Sequence, residues 1–115
     1  DFGEQLAALV EGLGMVPLRE WPSPDGPGLL ANDDHPVLGG KILYRGIEGE
    51  DRVGIAAVEA LLADMAASGA GRGILVTTGE FDLAALDGAA LKPVELIDRA
   101  GLTLLRRRLR PAAGG

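Results

Sequence analysis

At 115 residues the chain has room for one domain, and 47% apolar and 24% charged residues give it the balance of a globular protein. It has no cysteine, one histidine and a formal charge of −6. These exclude disulfides, thiolate zinc sites, cysteine nucleophiles and histidine-rich metal centres, and they oppose general attraction to a phosphate backbone. No apolar run approaches the roughly 20 residues of a membrane span. No signal segment is evident, and abundant alanine, glycine, leucine and arginine stand beside only two lysines, so a cytoplasmic bacterial protein is expected.

The first element follows from Leu6, Leu9, Val10 and Leu13 at helical spacing, with Phe2 one turn earlier and Gly14 as terminator; it predicts a helix over residues 2–13. Met15 to Trp21 alternates well enough for a short strand. The stretch Pro22 to Gly28 packs three prolines and two glycines into seven residues and reads as a loop. Leu29 to Ala31 is a brief strand, Asn32 to Pro36 a polar turn, Gly39-Gly40 a hairpin turn, and Lys41 to Arg45 a strand of β-branched and aromatic character. Gly46 to Gly54 is charged and glycine-bearing, hence a loop.

Beyond it, Ile55, Val58, Leu61, Leu62 and Met65 recur at helical spacing up to Ser68-Gly69. Gly73 to Thr78 is an apolar run between glycines, the pattern of a strand covered on both faces. Phe81 to Leu91 reads as a second alanine-rich helix, Pro93 to Ile97 as a strand, and Asp98 as the cap of a last helix carrying Leu102, Leu104, Leu105 and Leu109. The order α-β-β-β-α-β-α-β-α predicts an α/β domain over residues 1–110, with a mixed sheet of about five strands flanked by helices. Residues 111–115 are expected to be a flexible tail.

Four segments carry a more specific pattern: His35 to Leu43 (HPVLGGKIL), Val53 to Val58 (VGIAAV), Gly69 to Phe81 (GAGRGILVTTGEF) and Lys92 to Asp98 (KPVELID). With these, Asp33 to Leu105 resembles the Mrr-type restriction endonuclease family, a branch of the PD-(D/E)xK nuclease fold. The helix from Phe2 fits the one that precedes that family's catalytic strands. The resemblance implies a restriction-endonuclease-like fold. In active members it also implies an Asp and a Glu or Gln on adjacent strands holding divalent metal, and a Lys two residues further on that helps activate water. Residues two apart in a strand share a face, which is why that spacing works.

Carried onto this chain, the strand Asp falls on Gly28, the Glu or Gln on Arg45, the Lys on Ile47, and a Glu that many members carry after the first helix Phe on Gly3. Glycine and isoleucine offer a metal nothing, and arginine repels it. The expectation is therefore a catalytically degenerate member, a pseudo-nuclease with no catalytic residue and no cofactor. It would serve as an interaction, assembly or regulatory module in a DNA-associated or defence protein. A weaker alternative is a divergent Mrr-type endonuclease that uses Mg²⁺ or Mn²⁺ through Asp25 of the proline-rich loop. A third reading keeps DNA binding without cleavage.

Other signals are weighed residue by residue. His35 beside Asp33 and Asp34 lacks a third ligand and reads as a turn residue. Thr77 and Thr78 sit at a strand end opening onto a helix, where amides and hydroxyls meet anions or simply cap. With Arg45 and Arg52 they are the candidate nucleic-acid or anion contacts. Arg106, Arg107, Arg108 and Arg110 read as favourable charge at a helix C-terminus. The run Glu48 to Asp51 opposes DNA, so a protein partner or self-association is expected ahead of nucleic acid, with no membrane.

Overall fold

A computed structural model describes residues 1–109; the last residue of the expected domain and the expected tail at 111–115 lie outside the described residues. Helix α1 (Phe2–Gly12) starts where the Glu4 N–H donates to the Asp1 carboxylate at 2.9 Å and buries Phe2, Leu6, Leu9 and Val10. Gly14, at φ 80°, turns the chain out of it. There follow β1 (Val16–Glu20), β2 (Gly28–Asp33), β3 (Gly40–Ile47), the two-residue β4 (Arg52–Val53), α2 (Ile55–Ser68), β5 (Arg72–Thr77), the two-residue β6 (Glu80–Phe81), α3 (Leu83–Ala89), β7 (Val94–Ile97) and α4 (Arg99–Leu109).

Five strands form one mixed sheet in the order β1-β2-β3-β5-β7. The pairs β1–β2 and β2–β3 are antiparallel, β3–β5 and β5–β7 parallel. Each parallel step requires a helical crossover, supplied by α2 and then α3. Side chains alternate between two cores. Leu30, Leu43, Ile47 and Leu75 meet Val58, Leu61 and Met65 of α2 and Ala85 of α3. Ala31, Ile42, Tyr44 and Val76 meet Phe2, Leu6 and Val10 of α1 and Leu102 of α4.

Several expectations shift at their edges, each for a tertiary reason. Strand β2 runs to Asp33 because β3 pairs with it along its whole length, from Gly28↔Arg45 to Asp33↔Gly40. Gly46 and Ile47 belong to β3, since β5 continues the ladder to Ile47↔Thr77. Within the expected loop, Arg52 and Val53 pair with Glu80 and Phe81, which takes Phe81 out of the helix it was expected to begin. Asp82 caps α3 instead, accepting from the Ala85 N–H at 2.8 Å. Asp98 caps α4 through the Gly101 N–H at 2.8 Å, as its sequence position suggested. The proline-rich loop neither deletes a strand nor hangs free. Gly46 N–H donates to the Pro27 carbonyl at 2.8 Å and Glu48 N–H to the Asp25 carbonyl at 3.2 Å, so the loop lies along the end of β3.

Among the described residues no helix is long and apolar enough to cross a membrane.

Candidate active-site face

Gly28 and Arg45 are directly opposed in the antiparallel β2–β3 ladder, so they face the same side of the sheet, with Ile47 two residues on. That side is covered by α2. Three features of this face bear on its chemistry.

The first is backbone closure over Gly28. As the chain leaves β1, Trp21 donates its N–H to the Gly28 carbonyl at 2.9 Å. A β-carbon built on Gly28 would lie 2.0 Å from the Trp21 carbonyl oxygen and 2.9 Å from its carbon. Those contacts are with backbone, which cannot rotate away as a flexible side chain can. No side chain of any type fits at this position without moving the loop.

The second is Arg45. Its side chain is 6% exposed and its guanidinium forms an ion pair with Asp64 of α2, whose carboxylate side chain is 28% exposed. Among the described residues, Nε of Arg45 has no hydrogen-bond partner. A buried charge persists only when paired, and here α2 supplies the partner. Arg45, expected as a surface contact for nucleic acid or an anion, is instead an interior cation held between sheet and helix. Ile47, only 2% exposed, packs into the α2 core beside Leu30 and Leu43. Gly3 lies on α1, where an added β-carbon would approach Pro27 at 3.8 Å.

The third is a cleft of about 420 Å³ between the loop, β3 and α2, to which Trp21, Asp25, Arg45 and Asp64 all contribute. Asp25 is exposed on the loop. The structure thus brings Asp25 and Arg45 together and adds Asp64, which sequence reasoning missed. The available signal was weak: Asp64 follows Leu61 by three and precedes Met65 by one in an otherwise apolar stretch of helix, at the edge of its buried stripe.

The remaining candidates lie elsewhere. Thr77 is fully buried and its Oγ accepts from the Gly79 N–H at 3.1 Å, so it closes a turn and presents nothing to solvent, contrary to the expected surface role. Thr78 is exposed. Arg52 is exposed too, but it pairs in register with Glu80, and the Glu50 and Asp51 carbonyls crowd the adjoining Gly79. The carboxylates of that corner oppose a phosphate. His35 caps its own turn, Nδ1 accepting from the N–H groups of Val37 and Leu38 at 3.2 and 2.9 Å. Asp33 beside it is held below the usual carboxylate range, chiefly by the His35 N–H and further by Arg72 at 3.0 Å.

Divalent metal in this fold requires carboxylate or amide oxygens projecting from adjacent strands. Gly28, Arg45 and Ile47 provide none. Among the described residues no group of three or more His, Cys, Asp or Glu side chains is placed to hold a metal ion. The residues present do not fit that cofactor.

A mixed sheet with an antiparallel meander feeding two parallel crossovers, and a charged position on the central strand facing the first crossover helix, defines a restriction-endonuclease-like domain. A model of the Mrr catalytic type, described as restriction endonuclease, matches residues 33–105, and the chain belongs to this family. Two solved structures share the fold. The DNA modification-dependent restriction endonuclease AspBHI superposes with a TM-score of 0.68 at 20% identity, covering 93% of this chain and 31% of that one. The MspJI restriction endonuclease, in complex with a 27-mer oligonucleotide, gives a TM-score of 0.62 at 18% identity, covering 99% of this chain and 28% of that one. The chain therefore spans about a third or less of the length of these structures. No curated protein matches it.

Proposed function

We propose that this domain is a catalytically silent member of the restriction endonuclease family, acting as an interaction or assembly module in a DNA-associated protein. One observation carries the reading: the strand pair that would hold metal is Gly28 opposite Arg45, with the glycine sealed by the Trp21 carbonyl and the arginine paired to Asp64. Metal-assisted phosphodiester cleavage needs an ion to activate water and neutralise charge at phosphorus. This face offers a fixed positive charge and a closed backbone in that place.

An interaction role draws support from apolar side chains that α2 and α3 leave in solvent. Leu83 and Leu86 of α3 are 72% and 49% exposed, with Ile55 of α2 at 41% and Leu91 beyond α3 wholly exposed. Leu83 and Leu86 are one turn apart on a short helix, an arrangement that suits a protein contact. The acidic charge favours protein over nucleic acid as the immediate partner. The presence of the same fold in a modification-dependent endonuclease and in an oligonucleotide complex supports a DNA-associated context for the parent chain. The same reading takes the protein to be bacterial and cytoplasmic.

The test is calorimetric titration of Mg²⁺ and Mn²⁺ into the purified protein, followed by a plasmid-nicking assay on the same sample. No heat of binding and no nicking are expected. Saturable binding with cleavage, both lost in Asp25→Ala, would replace this reading with a relocated active site.

A further inference from the structure

The two edges of the sheet are built differently. Strand β1 is blunted: Pro17 has no N–H to offer a further strand, and the register slips between Pro17 and Arg19, both of which keep an edge from pairing. Strand β7 has neither. It runs in unbroken register with β5 from Gly73↔Val94 to Val76↔Ile97. The Pro93 carbonyl accepts from the Gly73 N–H at 3.0 Å. By alternation Glu95 and Ile97 turn their backbone groups toward β5, and Val94 and Leu96 turn theirs outward. Among the described residues no other strand takes them. Beside this edge α4 forms a groove of about 260 Å³, lined by Glu95, Ile97, Leu104, Leu105 and Arg108 among others. Leu104 is 55% exposed. Glu95 and Arg108 are exposed, opposite in charge, and among the described residues form no ion pair.

We propose that the β7 edge and its α4 groove form the interface with a second copy of this chain, joined by antiparallel pairing of β7 with β7 about a twofold axis at Leu96. This pairing rests on the reading of the domain as an interaction module and gives that module its partner. Charge complementarity selects the occupant. A twofold axis sets one patch against itself, so a charged patch that binds its own copy must carry both signs. This groove does, and Glu95 of each copy meets Arg108 of the other. With the axis at Leu96, the two Leu96 residues exchange N–H···O=C bonds. Glu95 then stands opposite Ile97 of the second copy, which keeps the two glutamates apart. Leu104 of each copy closes over the groove of the other and covers apolar surface that a single chain leaves in water. Helix α3 packs against β7 from the other face of the sheet, so the same pairing draws the two α3 helices toward the seam.

Sedimentation velocity over a concentration series compares the unmodified protein, Glu95→Arg, Arg108→Glu, and an equimolar mixture of the two variants. Both positions are exposed, so circular dichroism and thermal unfolding of each variant should match the parent. The unmodified protein should dimerise. Each variant alone sets like charges across the seam and should weaken the dimer about tenfold or more. The mixture restores complementary pairs and should recover the dimer, which no pairing within one chain can do. With no substitution at all, hydrogen exchange at the Leu96 amide should slow as the protein passes from monomer to dimer. A monomer at every concentration, a dimer indifferent to both variants, a mixture no tighter than its components, or a Leu96 amide that exchanges as fast in the dimer would each overturn the proposal. None of these outcomes touches the silent-domain reading. That reading falls only to metal-dependent nicking by the unmodified protein, and nicking would leave the dimer standing.

Discussion

The Trp21 carbonyl oxygen stands 2.0 Å from the point a β-carbon on Gly28 would occupy, while the Trp21 N–H donates to the Gly28 carbonyl at 2.9 Å. The backbone of one residue thus both holds the other and denies it a side chain. Gly28→Ala should therefore cost about 3 kcal/mol, the upper part of the range for forcing atoms into packed space, measured by urea unfolding. Gly28→Asp, which would write the family's acidic residue back into the strand, should destabilise at least as much and confer no nicking. A Gly28→Asp protein of unchanged stability would mean that the loop yields, and that the closure is weaker than its geometry.

The Arg45–Asp64 pair is unequal in burial, 6% against 28% exposed, and the two deletions should be unequal too. Asp64→Leu strands a buried guanidinium and should cost about 3 kcal/mol. Arg45→Met leaves a carboxylate that reaches water, and should cost about 1 kcal/mol. Paired denaturant curves in one buffer would decide the order. The reverse order would show that Asp64, not Arg45, is the charge that depends on its partner.

Tyr44 is wholly buried, its hydroxyl has no hydrogen-bond partner among the described residues, and burial pushes its pKa from 10.0 up to about 12. Its folded pKa lies above the unfolded value, so the unfolded chain releases the proton first. The contribution is fully present below pH 10 and is lost as pH rises from there toward 12. The loss should reach about 2 to 3 kcal/mol over that window. Tyr44→Phe should match or exceed the parent stability at neutral pH, because it removes an unsatisfied buried hydroxyl, and should flatten the alkaline decline. As the only tyrosine, Tyr44 can be followed by tyrosinate absorbance. Titration at an ordinary tyrosine pKa would sink this prediction.

The exposed face of α3 gives a functional prediction. Leu83→Ser with Leu86→Ser should change stability by less than about 1 kcal/mol, since both side chains already meet solvent. The same pair should weaken concentration-dependent self-association in sedimentation velocity. A parent protein that stays monomeric at every concentration would exclude α3 as a homotypic contact and direct attention to a different partner chain.

Much of the fold was legible in the chain. The helical spacing of Leu6, Leu9 and Val10, the double-sided apolar run Gly73 to Thr77, and the capping aspartate Asp98 each depend on local periodicity or local hydrogen bonding, which a sequence states directly. Boundaries set by a distant neighbour were not legible. Phe81 belongs to β6 only because Val53 lies beside it, and Ile47 stays in β3 only because β5 extends the ladder.

The site divides in the same way. The sequence by itself determined which residue types could stand at the family positions, and so that glycine, arginine and isoleucine replace two metal ligands and a lysine. Only the tertiary structure decided that the glycine is sealed by a carbonyl seven residues earlier in the chain, that Thr77 faces inward, and that the arginine is neutralised by Asp64 from a helix. The reason is physical. Residue type travels with the chain, whereas closure and charge pairing arise between segments that touch only after the sheet and α2 have packed.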